Sequence, residues 1–358
     1  MKKRMIAILL ASAMVSLAAC GTTNEAPAAA GTTAAPAATE AEADAMETID
    51  AAATEAAVAD SGKTYKVGVC QLMQHNALDA ATQGFVDTLT GKYGDAIEID
   101  VQNAQGDSAT CATIVNGFVS NEYDLILANA TPALQAAQSS TTTIPILGTS
   151  VTDYGTALGM SDFTGTTGTN ISGTSDMAPL DQQEDMILEL VPDVKKIAIL
   201  YCSAEANSSF QVQQIEKYLD EDGIAYEEFT FSDSNDLGSV VNNAVVGVDA
   251  MYIPTDNVVA SNMPLVTQAT GAVSLPVICG EENMCAGGGL ATLSIDYYDL
   301  GVATGNQAID ILENGTDPAG MEIRYATATT KKYNAAYAAQ IGVTVPESYE
   351  VIEGTEAQ

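Results

Sequence analysis

The sequence predicts an α/β protein of two doubly wound parallel-sheet lobes joined by a three-stranded hinge. Three observations carry that prediction. The first is an internal repeat: Tyr123-Asp-Leu-Ile-Leu-Ala-Asn-Ala-Thr-Pro132 followed by Ile144-Pro-Ile-Leu-Gly-Thr-Ser150 is answered by Asp249-Ala-Met-Tyr-Ile-Pro-Thr-Asp-Asn257 followed by Leu275-Pro-Val-Ile-Cys-Gly-Glu281. Each copy reads as a short buried strand, a polar loop, a helix and a second buried strand entered through an apolar residue and proline. The second is a sustained alternation of strand and helix signals, which demands parallel sheets with right-handed crossovers. The third is length, because Lys63 to Gln358 suffices for two domains of roughly 100 to 200 residues each.

The elements follow in order. Tyr65 to Gln71, with Val67 and Val69 inside, is the first buried strand. A helix from about Ala77 to Tyr93 leads to a strand over Ile97 to Asn103. Gln105-Gly106-Asp107 then turns the chain, with Asp107 or Ser108 as the N-cap of a helix reaching about Glu122. Tyr123 to Ala128 and Ile144 to Gly148 are the next strands, separated by a helix from about Ala133. The segment Gly165 to Asp176 is rich in turn formers and is expected to make the first crossing between lobes, ahead of a helix over Leu180 to Leu190. The second lobe repeats the order, with strands at Ile197 to Cys202, Ala225 to Phe231, Met251 to Pro254 and Val277 to Cys279. Its helices are expected at about Ser209 to Asp222, Asp236 to Val246 and Val258 to Thr270. Leu290 to Asp296 reads as a strand, and Tyr298 to Glu313 as a helix with apolar residues at helical spacing, closed by Asn314-Gly315. A strand near Met321 to Ala326 and a helix near Asn334 to Gln340 finish the chain. Crossings near Thr292 to Tyr297 and Arg324 to Thr327 complete the hinge.

The N-terminus bears on location. Lys2-Lys3-Arg4 precedes the apolar run Met5 to Val15 and then Leu17-Ala18-Ala19-Cys20-Gly21, the pattern of a signal peptide. The run is too short to span a bilayer, for which about 20 apolar residues are needed. From Thr22 to about Ser61 the chain is Ala, Thr, Pro and Glu with almost no large apolar side chain, so it is expected to be a disordered tether. The expected organisation is a signal peptide at 1–20, a tether at 21–62, one lobe from 63–178 with 297–325, and the other from 179–296 with 326–358. Leu-Ala-Ala-Cys resembles the lipobox of bacterial lipoproteins, which implies that Cys20 is lipidated and anchors the chain to the membrane. The tether suits a Gram-positive envelope.

Composition excludes several functions. A formal net charge of −35 would repel phosphate backbones, so no nucleic-acid partner is expected. With Cys20 lipidated, the other five cysteines (Cys70, Cys111, Cys202, Cys279 and Cys285) are odd in number, which rules out a full disulfide framework and leaves a Cys279–Cys285 pair open. His75 is the only histidine, so a zinc site, which needs three or four ligands, is not expected. There is no nucleophile elbow or phosphate loop either, so neither an enzyme nor a cofactor is expected.

The strand-end motifs also carry a family likeness: Gln71-Leu-Met-Gln-His-Asn-Ala-Leu-Asp79, Asn103-Ala-Gln-Gly-Asp107, Ala130-Thr-Pro132, Gly148-Thr-Ser-Val-Thr-Asp153, Asn170-Ile-Ser-Gly-Thr-Ser-Asp176, Pro254-Thr-Asp-Asn257 and Gly288 to Tyr297. Together, and in this order from Lys63 onward, they resemble the solute-binding lipoproteins of ABC importers with the type I periplasmic-binding-protein fold. More narrowly, they resemble the subfamily that takes up tryptophan and tyrosine. The resemblance implies a monomer that binds an aromatic amino acid and docks on a membrane permease. Asn76 departs from the pattern, standing where proline is expected. A surface receptor or adhesin on the same fold, or a binder of branched-chain amino acids or another small solute, are the alternatives.

Parallel sheets bind ligands beyond the carboxyl ends of their strands, so the candidate site is the set of strand-end polar residues. An amino acid brings two charges, and each must be paired if closing lobes remove it from water. Asp256 is the first candidate for the ammonium, with Glu205 and Glu281 as alternatives; an N-cap role would explain Asp256 equally. Ser203, Asn207 and Ser208, before a helix, are candidates for the carboxylate. Thr131, Thr149 and Ser150 offer matching donors from the first lobe. Gln71 and His75 are expected in the wall, as is Tyr297 at the hinge; Asn129, Asn257 and Asp296 complete the set.

Overall fold

The computed structural model describes residues 63–326 and 328–355. The expected signal peptide, Cys20 and the tether lie outside the described residues. The first sheet is built by β1 (Tyr65–Gln71), α1 (Asn76–Tyr93), β2 (Ile97–Asn103), α2 (Ser108–Ser120), β3 (Leu125–Asn129), α3 (Thr131–Ser140), β4 (Ile146–Thr149), α4 (Tyr154–Leu158) and β5 (Ile171–Ser175). The second begins after α5 (Leu180–Leu190) with β6 (Lys196–Cys202), α6 (Ala206–Asp222), β7 (Ala225–Phe231), α7 (Ser234–Ala244) and β8 (Ala250–Ile253). It continues through α8 (Asn257–Ala260), α9 (Met263–Ala272), β9 (Val277–Cys279), α10 (Glu282–Ala286) and β10 (Ala291–Ser294). The chain then returns with α11 (Tyr297–Asn314) and β11 (Arg324–Tyr325), and ends with β12 (Thr330–Tyr333), α12 (Ala335–Ile341) and β13 (Glu350–Val351).

The strand orders are β11-β5-β4-β3-β1-β2 and β13-β12-β10-β9-β8-β6-β7. Every pair is parallel except β10 with β12. The two sheets therefore share one winding: β2-β1-β3-β4-β5 in the first is matched by β7-β6-β8-β9-β10 in the second. In such sheets the order reverses beside the first strand, and ligands settle at the carboxyl ends there. The corresponding points are the ends of β1 and β3 in one lobe and of β6 and β8 in the other. Three connections join the sheets, after β5, after β10 and after β11.

The short helices α4 and α10 and the strands β12 and β13 were not expected, β12 running antiparallel to β10, and two further elements differ from expectation. Residues expected to be a turn-rich crossing form β5, fully buried and paired with β4. Its polar side chains tolerate burial because each is bonded: Ser172 Oγ donates to the Met321 carbonyl, and the Thr174 hydroxyl pairs with those of Thr149 and Thr304. Gly173 holds φ at 144°, where a Cβ would come within 2.0 Å of the Gly148 carbonyl oxygen. The single helix expected over Val258 to Thr270 is two, α8 and α9. Asn262 N bonds the Val259 carbonyl to close the first, and Pro264 sits in the first turn of the second, where its missing N–H is tolerated.

Helix α11 follows the second connection yet packs on the first lobe, against α1. The approach is close enough that a Cβ on Gly84 would lie 2.1 Å from the Tyr298 carbonyl oxygen, and one on Gly301 would lie 2.0 Å from that of Ala81. Gly301→Ala should therefore destabilise the fold by about 1–3 kcal/mol through overpacking. Gly117→Ala, in α2 with open space around it, should be neutral or stabilising. Urea unfolding of both variants checks the contrast.

Candidate functional site

At the reversal point of each sheet the strand-end loops of the two lobes meet. His75, Ala77, Leu78, Asp176 and Tyr297 come from the first lobe and its connections; Thr255, Asp256, Asn257, Ala260 and Glu281 come from the second. Together they line a nearly closed space of about 10 Å³. One direct bond spans the lobes here, from His75 Nε2 to Asn257 Oδ1 at 3.1 Å. Asn257 in turn donates from Nδ2 to Glu205 Oε2 at 2.7 Å. A second contact, Ser261 Oγ to Met73 Sδ at 2.8 Å, closes the outer rim.

Buried carboxylates dominate this junction. Asp256 caps α8 through Val259 N (2.9 Å) and accepts from Cys202 N (2.7 Å) and Ser208 Oγ (2.8 Å). Glu205 bridges α6 and α8, accepting from the Asn257 and Val258 amides and from the side chains of Asn207 and Asn257. Glu281 caps α10 through the Asn283 and Met284 amides. Asp176, at the end of β5, accepts from the hydroxyls of Thr152 (3.0 Å) and Tyr297 (2.8 Å) and from its own backbone amide. No lysine or arginine lines the space. Burial pushes all four carboxyls above the usual carboxylate range, Glu281 to about 7, and Asp256 adds to the rise at Glu205. Burial also lowers the basicity of His75, against the pull of Asn257 and Asp79.

Neutral donors gather on the first-lobe side. The α3 helix starts without a side-chain cap, so the amides of its first turn face the strand ends free of a local acceptor. Beside it the hydroxyls of Thr131 and Ser150 are buried and have no hydrogen-bond partner among the described residues. The same holds for His75 Nδ1 and Asn207 Oδ1. Backbone strain marks this spot too. Ala130 has φ 90° and ψ 157°, territory that is essentially glycine's, and Ser150 has φ 54°.

The remaining expected residues make bonds within the scaffold or face solvent. Gln71 bonds Asp79, the Met73 carbonyl and Thr82, and Asn129 bonds Thr82 and the Leu78 carbonyl, so the pair locks α1 over the ends of β1 and β3. The Thr149 hydroxyl is engaged with Thr174. Ser203 is exposed and donates to the Phe231 carbonyl. Asp296 is exposed and caps α11 through Asp299 N. All five described cysteines are free thiols, Cys279 and Cys285 included. Sequence reasoning missed Asp176, Thr255, Ala77, Leu78 and Ala260 as wall residues. A fifth strand over Ile171 to Ser175 would have put Asp176 at a strand end, the same signal that singled out Ser150.

Comparison with known proteins decides the family. A model described as ABC transporter substrate binding protein matches residues 66–355. The chain belongs to this family. It is 38% identical over 257 residues to a tyrosine-binding protein of Clostridioides difficile, covering 71% of this chain and 74% of that one. Among solved structures, a Streptococcus pneumonia ABC domain in complex with L-Trp superposes with a TM-score of 0.77 at 34% identity, over 81% of this chain and 100% of that one. A ligand-free, open substrate binding protein with adhesive properties from Clostridium difficile gives 0.63 at 35% identity, over 82% and 100%. The fold is that of type I periplasmic binding proteins, and the family binds solutes rather than catalysing reactions. Substrate-binding proteins of ABC transporters are extracytoplasmic, which suits the free, buried thiols poorly exposed to oxidants.

The buried acids imply a pH signature. A glutamate in the unfolded chain titrates at about 4.3, whereas Glu281 in the fold titrates at about 7. The folded state thus holds this proton more tightly. Its contribution to stability is complete below about pH 4.3 and is lost as pH rises through about 7. Unfolding free energies of wild type and Glu281→Gln should accordingly converge at low pH and diverge above it, with the variant less sensitive to rising pH.

Proposed function

We propose that this protein is the extracytoplasmic, lipid-anchored solute-binding component of an ABC importer, and that it captures an aromatic amino acid between its lobes. The observation that carries this reading is the polarity of the cleft. Carboxylates without a cation line the space between the lobes, and an uncapped helix start with two unpartnered hydroxyls, Thr131 and Ser150, lies at the carboxyl edge of the first sheet. A zwitterion satisfies both. Its carboxylate finds donors at the start of α3, where the helix dipole favours an anion. Its ammonium finds the acidic wall.

The aromatic class is supported by the relatives: one is named for tyrosine, another is bound to L-Trp, and both exceed 30% identity. Tyr297, Leu78 and Ala77 offer a ring and apolar surface for the side chain. Capture works by population shift, because only an arrangement with both lobes in contact offers contacts from both sides. The lower superposition on the open, ligand-free relative, at equal identity and coverage, supports a protein whose lobes rotate about their three connections. Lipid on Cys20 and the tether would hold the monomer near its permease, which would read the closed lobes. The adhesive properties of one relative favour a second role at the cell surface.

Isothermal titration of the 63–358 chain should reveal tight binding of tyrosine, tryptophan or phenylalanine. Thr131→Val and Ser150→Ala should each weaken it by roughly tenfold to a hundredfold, the usual worth of a hydrogen bond to a charged group. Binding of none of the three would refute the aromatic assignment. For the anchor, Cys20→Ala should shift the protein from the membrane fraction to the medium.

A further inference from the structure

Asp176 differs from the other buried acids of the junction in what satisfies it. Asp256, Glu205 and Glu281 are each held by backbone amides, and in being so held they cap or join α6, α8 and α10. Their acceptor capacity is committed to the second lobe. Asp176 accepts from two neutral hydroxyls, Thr152 at 3.0 Å and Tyr297 at 2.8 Å, and otherwise only from its own backbone amide. An ionised carboxylate has about four lone-pair sites, so part of its capacity is open. It is 4% exposed, it lines the space between the lobes, and no cationic side chain lines that space with it. A charge buried in that condition is costly, and without a cation beside it the carboxyl is driven to keep a proton instead.

A second, independent group points the same way. His75 reaches the same space with its Nε2 committed to Asn257, and its Nδ1 is buried with no partner among the described residues. With Nε2 donating to the Asn257 carbonyl oxygen, Nδ1 carries the lone pair and is an acceptor. An ammonium has three N–H donors and no acceptor. The open lone pairs of Asp176 and the bare Nδ1 of His75 are what such a group requires.

We infer that Asp176 is the anionic partner of the ligand's α-ammonium, with Thr152 and Tyr297 holding its carboxylate in place and His75 Nδ1 accepting a second ammonium hydrogen. The inference rests on the amino-acid reading of the site. It also explains the position of the residue. Asp176 opens the first connection between the sheets, and Tyr297 stands just past the second, so their bond ties two of the three connections together. An ammonium that pairs with Asp176 lands on the joint about which the lobes turn.

The test separates recognition of the ammonium from general support of the cleft. Wild type and Asp176→Asn are titrated calorimetrically with the best-bound amino acid and with its desamino analogue, which keeps the ring and carboxylate but lacks the α-amino group. Asparagine is nearly isosteric and can still bond both hydroxyls. The expected result is a loss of roughly a hundredfold or more for the amino acid in the variant, with the desamino analogue binding both proteins within about threefold. Such a coupling in a double-mutant cycle assigns the interaction to the pair. Equal losses for both ligands, or no loss for either, overturn the inference. Should Asp176→Asn fail to fold by circular dichroism, Tyr297→Phe replaces it. That variant keeps the ring but releases one oxygen of Asp176, and a loss of about tenfold confined to the amino acid is expected; an equal loss for both ligands again overturns the inference. Wild-type protein that binds no amino acid at all overturns the underlying reading of the site, and the inference falls with it.

Discussion

Four carboxylates, Asp176, Glu205, Asp256 and Glu281, are buried where the strand ends of two sheets converge, and no lysine or arginine accompanies them. This is the constraint on which the rest of the molecule depends. Removing so much negative charge from water is tolerable only when each group is hydrogen-bonded or neutralised. Three of the four are satisfied by the amides at helix starts, so the second lobe spends its strand-end geometry on stabilising its own acids. The fourth, Asp176, has two hydroxyls and its own backbone amide but no amide from a helix start. The fold thus concentrates unmet acceptor capacity at one point, beside the connections between lobes. On the same sheet edge lies the opposite imbalance, an uncapped helix and unpartnered hydroxyls at Thr131 and Ser150.

That imbalance is a product of the winding. Both sheets reverse order beside their first strand, so in each lobe two neighbouring loops diverge and leave a gap at the carboxyl edge. In the first lobe the gap is paved by Ala130 and Ser150, whose positive φ angles aim backbone and side chain in directions an ordinary strand exit would not. Such conformations persist only where the surroundings over-determine them. Here Gln71 and Asn129 provide that support by fastening α1 to the strand ends. Gln71 and Asn129, expected at the site, thus commit their amides to holding α1 in place.

Much of this was legible in the sequence, and the exceptions have physical causes. Strands with apolar runs, such as Tyr65–Gln71 and Lys196–Cys202, and the tandem repeat of Pro132 and Pro254 loops announced two parallel lobes. Ile171–Ser175 did not read as a strand because its burial is sustained by hydroxyl pairing with Thr149, Thr304 and the Met321 carbonyl, contacts that only the fold supplies. With that strand unseen, Asp176 lost the strand-end position that would have marked it. Asp256 illustrates the other difficulty. A buried aspartate before a helix satisfies the pattern of a cap and of a ligand contact alike, and the structure gives it the cap's bonds, Val259 N among them. Ser203 and Asp296 share the strand-end location but face solvent, a distinction that spacing does not encode.

The family membership makes this a substrate-binding protein, and the polarity of the cleft supports our proposal that it works by the relative motion of two lobes. Small-angle X-ray scattering of the 63–358 chain, with and without a saturating aromatic amino acid, tests that claim most directly. The account predicts a smaller radius of gyration and a shorter maximum dimension when the amino acid is present. Superimposable profiles, in a sample that calorimetry shows to be loaded, would contradict it.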